Sequence, residues 1–292
     1  MDFTFVSRRP APPLGRFAES VWYARGRIDY PSERIAPTGS TVAVVVLGSP
    51  ILETPADGAG EPFLATTGFL IGPHDRPVVN APTAETFCVG IVSTPIGCQA
   101  LFGVAPAPLR GRVVDLATAW PPAATLRRGL ARAPRLRPER MLDRVEAALL
   151  AGLGSGSDAV DRCEAAVRAL EADPTRSIGD VAAAVGVSHG HLDREFMAVV
   201  GLSPRALSRI LRLRMLLAGL DVYAPVAWTA LATRFGWFDQ SHFIRDFKRY
   251  TGVTPSRYVA AQRGVFTPAQ AAPGFVPDVK SVQDDNAGPP LP

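Results

Sequence analysis

The chain is poor in the residues that build disulfide networks and metal centres. Its 292 residues include three cysteines, Cys88, Cys98 and Cys163, which are too few for a four-cysteine zinc cluster and suit a reducing compartment with free thiols. Because no C-x-x-C spacing or basic neighbour supports a redox pair, we interpret Cys88 and Cys98 as buried structural thiols. His74 is the one histidine of the N-terminal half, whereas a cupin-type metal site needs several histidines and glutamates on one barrel face.

Other signals are also missing, and each absence argues against a class of function. No stretch approaches the ~18 to 20 apolar residues that a membrane helix needs, and residues 1–10 lack the charged segment and apolar core of a secretory signal. No P-loop, dinucleotide fingerprint or nucleophile elbow is present. His189 and His191 are two residues apart, so on a helix they point to different sides and cannot hold one metal ion. The sequence predicts a cytoplasmic protein that is not an enzyme and uses no metal or cofactor.

The positive charge of the chain is concentrated towards its C-terminus. The formal net charge is +4, but residues 194–263 contain eleven Lys or Arg and four Asp or Glu, an excess of seven. Residues 1–157 contain sixteen basic and thirteen acidic side chains, an excess of three. A local basic excess of this size favours contact with the phosphates of nucleic acid.

A helix-turn-helix pattern occupies residues 228–258. Gly236 ends a short helix with an apolar face, because glycine accepts the left-handed conformation of a helix C-terminus. Phe243, Phe247 and Tyr250 then recur at i, i+4 and i+7, which predicts one buried stripe on a second helix. The opposite face of that helix is polar and basic. A short support helix followed by such a helix is the arrangement of a DNA-binding helix-turn-helix.

A second copy of this pattern lies upstream, at residues 178–201. Its buried positions Leu192 and Phe196 align with Phe243 and Phe247 at an offset of 51 residues. Internal repetition of this kind is stronger evidence for the motif than either copy alone. The segment between the copies, 207–220, is predicted to be a longer helix that joins the two units.

Two units on a joining helix, followed by G-V-T-P-S-R-Y at 252–258, resemble the DNA-binding domain of AraC/XylS-type transcriptional regulators over residues 160–262. The resemblance implies that each unit places one recognition helix in the major groove of bent DNA. The candidate DNA contacts that it implies by position are His189, Gly190, Asp193 and Arg194 in the first unit, and Gln240, Ser241, His242, Ile244, Arg245, Lys248 and Arg249 in the second. Gly190 offers no side chain, and Asp193 can only accept hydrogen bonds, which favours a cytosine amino group and repels phosphate. We therefore expect narrower base reading from the first helix than from the second.

The N-terminal half is predicted to consist mainly of strands. Short apolar runs at 40–48, 63–72 and 85–92 are bounded by glycine and proline, which favours a β-sandwich or a small barrel. The sequences G-F-L-I-G-P at 68–73 and P-I-G-C-Q-A-L-F-G-V-A-P at 95–106 resemble an uncharacterised sensor-type domain that occurs in front of AraC-type DNA-binding domains. That resemblance implies a cupin-like barrel that binds an effector, dimerises, or both.

Together these patterns predict an α+β protein of two domains. Residues 1–151 form a β-rich N-terminal domain with helices, and residues 152–157 form a glycine-rich linker. Residues 158–263 form an all-α domain with two helix-turn-helix units, and residues 264–292 form a Pro- and Ala-rich tail that is partly disordered.

The predicted function is sequence-specific regulation of transcription, with double-stranded operator or promoter DNA as the partner and a small effector bound by the N-terminal domain. Homodimerisation and, for an activator, contact with RNA polymerase are further expected interactions. Two alternatives remain open at this point: an N-terminal domain that only dimerises or binds a partner, and an enzymatic barrel that is targeted to DNA. No ligand-binding residue can be assigned from the sequence.

Overall fold

The computed structural model describes residues 3–55, 61–268 and 272–278, with strands in the N-terminal part and helices in the C-terminal part. The strands in the described residues are β1 Thr4–Arg8, β2 Ala18–Gly26, β3 Glu33–Ile35, β4 Val42–Val46, β5 Ile51–Pro55, β6 Phe63–Ala65, β7 Gly68–Ile71, β8 Val78–Pro82, β9 Thr86–Ser93, β10 Val113–Asp115 and β11 Phe275–Pro277. The helices are α1 Cys98–Phe102, α2 Leu116–Ala119, α3 Pro122–Ala131, α4 Pro138–Ala151, α5 Asp158–Ala172, α6 Ile178–Ala184, α7 His189–Val199, α8 Pro204–Ala218, α9 Trp228–Arg234, α10 Gln240–Thr251 and α11 Pro255–Val265. None of these helices is long and apolar enough to cross a membrane.

The strands form two antiparallel sheets, which confirms the predicted α+β class. The large sheet has the order β1-β2-β9-β4-β7-β10, and the small sheet has the order β11-β3-β8-β5-β6. The apolar run at 63–72 does not form one strand. It breaks at residues 66–67 into β6, which joins the small sheet, and β7, which joins the large sheet.

Both faces of the central strands of the large sheet are buried. In β4, Ala43 and Val45 face the helices, whereas Val44 and Val46 face a second apolar cluster that includes Ile51 of the small sheet. Successive side chains of a strand point to opposite faces, so a strand covered on both sides is apolar at every position. This explains why the central strands read as continuous apolar runs in the sequence.

The apolar core continues from the N-terminal domain into the helical domain. One cluster of buried side chains extends from the strands through α3, α4 and α5 to the helix-turn-helix units. The predicted linker at 152–157 runs along α1, where the Gly154 amide donates a hydrogen bond to the Ala100 carbonyl at 2.9 Å. Ser157 caps α5 by accepting a hydrogen bond from the Val160 amide at 3.4 Å. The two domains are therefore packed together in this structure.

The segment after α11 contributes a strand to the N-terminal domain. Strand β11 pairs with β3 in antiparallel register, with Phe275 opposite Ile35. The Gln262 side-chain amide donates to the Ala272 carbonyl at 3.0 Å, and the Gly274 amide donates to the Tyr258 hydroxyl at 3.0 Å. This strand was not predicted, because the sequence shows no periodicity here. Disorder was predicted for the end of the tail, residues 283–292, which lie outside the described residues.

All three cysteines are buried and free, in agreement with the structural interpretation of the sequence. Burial raises the pKa of Cys88 to about 12, that of Cys98 to about 11 and that of Cys163 to about 12. These thiols are therefore protonated at neutral pH and poor nucleophiles.

Candidate nucleic-acid interface

The first helix-turn-helix unit consists of α6 and α7. Gly186 makes the turn with φ +75°, and Ser188 caps α7 by accepting a hydrogen bond from the His191 amide at 3.3 Å. Leu192 and Phe196 are fully buried and hold α7 against the domain. The turn and the buried stripe lie within the segment 178–201, where the sequence predicted this unit.

The second unit consists of α9 and α10. Gly236 makes its turn with φ +80°. Asp239 caps α10, because its Oδ1 accepts a hydrogen bond from the His242 amide at 2.7 Å. Phe243 and Phe247 are fully buried, with ring centroids 5.6 Å apart. The unit is thus held by an aromatic core on one side of α10.

The exposed face of α7 has its charges largely paired within the protein. His189 Nε2 lies 3.5 Å from Asp193 Oδ2, and His191 Nε2 lies 3.0 Å from Glu195 Oε1. Arg162 of α5 donates two hydrogen bonds to the Glu195 carboxylate and lowers its pKa. Among the predicted contacts, His189, Gly190 and Arg194 are exposed and Asp193 is partly exposed.

The exposed face of α10 is more basic. Gln240, Ser241, Ile244, Arg245 and Lys248 are all exposed, and His242 is partly exposed. The side chains of Arg245 and Lys248 make no hydrogen bond or ion pair with another described residue. Their guanidinium and ammonium groups are therefore available to base edges and phosphates.

The carboxylate of α10, Asp246, makes its contacts within the second unit. Asp246 Oδ2 accepts a hydrogen bond from Trp237 Nε1 at 3.1 Å and lies 3.6 Å from His242 Nε2. The guanidinium of Arg212, from α8, lies 5.5 Å from the Trp237 ring centroid, and its Nη1 donates to the Gly236 carbonyl at 3.1 Å. Desolvation lowers the pKa of Arg212. The joining helix thus fixes the turn of the second unit, a role that the sequence pattern did not reveal.

Arg249 differs from the other predicted contacts, because it faces the N-terminal domain. Its Nη2 donates to Asp75 Oδ2 at 2.6 Å, and this bond raises the pKa of Arg249. The next turn of the chain, at Gly252, lies against Arg34 and Pro77 of the same domain. The C-terminal end of α10 is therefore fastened to the N-terminal domain, whereas Gln240 and Ser241 at its N-terminal end are exposed to solvent.

A cleft lies beside this contact, between α10 and the N-terminal domain. It has a volume of about 370 Å³. Its charged and titratable lining residues are His74, Asp75, Arg76, Arg110, Arg112 and Arg249. Burial lowers the pKa of His74, so the imidazole is neutral at pH 7. The lining is strongly basic, with four arginines and one carboxylate.

Two helix-turn-helix units on one joining helix, each with a capped and exposed recognition helix, define a DNA-binding transcription regulator. Residues 162–261 match the model of a helix-turn-helix domain family, and residues 7–115 match a domain of unknown function (DUF6597). Residues 162–261 therefore form a helix-turn-helix domain of the AraC type, and residues 7–115 form a domain of unknown function.

Comparison with solved structures finds distant neighbours. ToxT from Vibrio cholerae O395 is 12% identical, with a TM-score of 0.46 over 88% of this chain and 97% of that chain. ToxT from Vibrio cholerae strain SCE256 with a bound unsaturated fatty acid is 12% identical, with a TM-score of 0.46 over 90% and 97%. The AraC-like transcriptional activator CuxR is 13% identical, with a TM-score of 0.24 over 74% and 86%. A search of curated proteins found no match.

Proposed function

We propose that this regulator reads a specific DNA site through α7 and α10, and that its N-terminal domain adjusts this reading when a small anionic effector occupies the cleft beside α10. The observation that carries the proposal is that Arg249 connects the second recognition helix to the cleft. It belongs to the second recognition helix, yet it pairs with Asp75 and lines the cleft. A change in the cleft therefore acts directly on the helix that faces DNA.

The exposed side chains support reading by both helices, with unequal contributions. Arg245 can form a bidentate pair with guanine, and Gln240 can do so with adenine. In α7 the corresponding surface has Gly190, which offers no side chain, and Asp193, which accepts only. Base discrimination therefore comes mainly from α10, while phosphate contacts from both helices set the position on DNA.

The composition of the cleft defines the chemical class of the effector. Arginine pairs with carboxylate and phosphate through two parallel hydrogen bonds, and the cleft presents Arg110, Arg112 and Arg249 beside a single carboxylate, Asp75. Its volume falls within the range of small-molecule sites, about 300–1,000 Å³. An anion in the cleft competes with Asp75 for Arg249 and changes how firmly α10 is fastened.

DNA reading is tested by fluorescence anisotropy with the purified chain, its own upstream intergenic duplex and a scrambled duplex, over a salt series. We expect a preference of at least ~10³-fold for the native duplex. Arg245→Ala should weaken specific binding by on the order of 1–3 kcal/mol and relax the preference at one base pair. Arg194→Ala, the matched change in α7, should have a smaller effect. Equal, steeply salt-dependent binding to both duplexes would mean contact with the DNA backbone alone and would contradict the proposal.

Effector control is tested through Asp75. In Asp75→Asn the carboxylate no longer holds Arg249, so we expect the specific DNA affinity to change and the response to anions to shrink. Asp29→Asn, a substitution of an exposed acid of the same domain, is the matched control. Unchanged DNA affinity in Asp75→Asn would separate the cleft from DNA binding.

Binding in the cleft is measured by thermal unfolding in inorganic phosphate and in a panel of small carboxylates. A ligand stabilises the folded state by about 2.7 kcal/mol at one hundred times its Kd. This gain should fall in Arg112→Ala and persist in Arg135→Ala, an exposed arginine away from the cleft. Unfolding that depends on protein concentration but on no ligand would instead identify the N-terminal domain as a dimerisation module.

A further inference from the structure

Phe238 is the most exposed large apolar side chain among the described residues. Its side chain is 95% exposed, compared with 58% for Phe5 and 53% for Leu64. It lies directly before Asp239, the cap of α10, which is followed by the exposed residues Gln240 and Ser241. An exposed apolar side chain is therefore present at the N-terminal end of α10, beside the exposed polar residues of that helix.

The two helix-turn-helix units show that Phe238 is an inserted residue. The Val187 amide donates to the Ala182 carbonyl at 3.1 Å, and the Trp237 amide donates to the Ala232 carbonyl at 2.9 Å, so Val187 and Trp237 are equivalent. In the first unit the cap of the recognition helix follows Val187 directly. In the second unit Phe238 stands between Trp237 and the cap.

The fold does not use this inserted side chain. An apolar residue just before a helix cap often packs onto the first turn of the helix. Trp237 already fills that position, with its ring 5.3 Å from the Phe243 ring and its side chain 4% exposed. Phe238 makes no ring contact with another described residue. The packing of the unit therefore gives no reason for an apolar side chain at this position.

We propose that Phe238 contacts the C5-methyl group of a thymine in the major groove, at the edge of the base pairs that α10 reads. The N-terminal residues of a recognition helix approach the base edges, and a phenylalanine ring is among the side chains that contact the thymine methyl. The inference rests on the proposed reading of DNA by α10. It adds an apolar base contact to the polar contacts of that helix, and it gives the second unit a specificity element that the first unit lacks.

The test removes one thymine methyl group at a time from the DNA. A duplex that the wild-type chain prefers over scrambled DNA is selected from a random pool, and each thymine is replaced in turn by deoxyuridine, which lacks only the methyl group. For the wild-type chain we expect one replacement to weaken binding roughly fourfold, the value of one buried methyl group. Phe238→Ala should bind the unmodified duplex more weakly and lose sensitivity at that one position. Phe5→Ala, which removes an exposed phenylalanine of β1, should retain the wild-type pattern.

Several results would overturn the inference. They are an unchanged affinity and deoxyuridine pattern in Phe238→Ala, and an equal loss on specific and scrambled DNA. If Phe238→Ala bound DNA like the wild-type chain but lost the binding of another protein, Phe238 would be assigned to a contact with that protein. Failure of the wild-type chain to prefer any duplex is a different result, because it refutes DNA reading by α10 itself. Since Phe238 is exposed, the thermal midpoint of Phe238→Ala should match that of the wild-type chain, and Phe238→Leu should retain part of the thymine contact.

Discussion

The two helix-turn-helix units share an internal framework but use their acidic side chains differently. Each recognition helix contains a histidine one turn before a carboxylate, His191 before Glu195 in α7 and His242 before Asp246 in α10. In α7 the carboxylate is held by an arginine of α5, whereas in α10 it is held by the indole of the neighbouring turn. The shared pair therefore serves to fix each helix to its own surroundings.

The outer surfaces of the units diverge further. Where α10 has Lys248 and Arg249, the matching positions of α7 are Met197 and Ala198. The second unit also has the inserted Phe238, and its last turn is tied to the N-terminal domain through Arg249. The repeat therefore retains caps, turns and buried stripes, whereas the additional basic charge and the ion pair between Arg249 and Asp75 are properties of the second unit.

The largest expected difference concerns the cores of the units. Phe196→Ala and Phe247→Ala each remove a fully buried ring, which costs about 3–5 kcal/mol. Phe247 also has ring contacts with Trp228, Phe243 and Tyr258 at 5.6–6.0 Å, and each such pair is worth roughly 0.5–1.5 kcal/mol beyond burial. Urea unfolding should therefore show a greater loss of unfolding free energy for Phe247→Ala. A greater loss of unfolding free energy for Phe196→Ala would contradict this expectation and would show that the ring contacts of Phe247 add little stability.

A smaller effect is expected at the glycine turns of the first unit, of which the one at Gly201 meets the N-terminal domain. Gly186 and Gly201, both in the first unit, have nearly the same φ, +75° and +76°, so alanine at either position is strained by about 1–2 kcal/mol. A methyl group at 186 meets nothing within 4 Å, whereas at 201 it lies 3.0 Å from Pro73 and from Pro106. Gly201→Ala should therefore lower the thermal midpoint more than Gly186→Ala. Equal shifts would mean that the first unit and the N-terminal domain move apart at little cost.

The smallest expected effect is the pH dependence contributed by Glu195. The bond from Arg162, with further contributions from His191, lowers the pKa of Glu195 in the folded chain below its ordinary value of 4.5. The unfolded chain therefore binds more protons in this range, so the stabilisation is present above pH 4.5 and is lost as the pH falls through the folded pKa. Glu195→Gln should lower the unfolding free energy at pH 7, and its difference from wild type should shrink under acid. In an Arg162→Gln background the same substitution should have almost no pH-dependent effect, and a persistent one would assign the pH dependence to other carboxylates.

The features that were predicted correctly from the sequence are local. The glycine turns and the aromatic stripe of α10 depend on residues within one or two helical turns. The same holds for the repeat, because Leu192 and Phe243 mark equivalent buried positions at a constant offset. The signal for Phe238 was also present, since the turn glycines are 50 residues apart whereas the buried positions are 51 apart.

The features that were missed depend on residues far apart in the chain. Arg249 and Asp75 are separated by 174 positions, and no periodicity connects them. Strand β11 is three residues long and has β3 as its paired strand, so its formation depends on a distant segment and not on a strand pattern of its own. The assignment of β6 and β7 to different sheets likewise depends on the partners that each strand meets.

The sequence by itself determined the class of this protein, because the double helix-turn-helix repeat and its caps are encoded by short-range spacing and by the physics of single helices. Tertiary structure alone decided that the end of α10 is fastened to the N-terminal domain, and that a basic cleft lies at this contact. Such contacts arise from the mutual packing of distant elements around a shared core, and charge pairs between them acquire their position only when that core is complete.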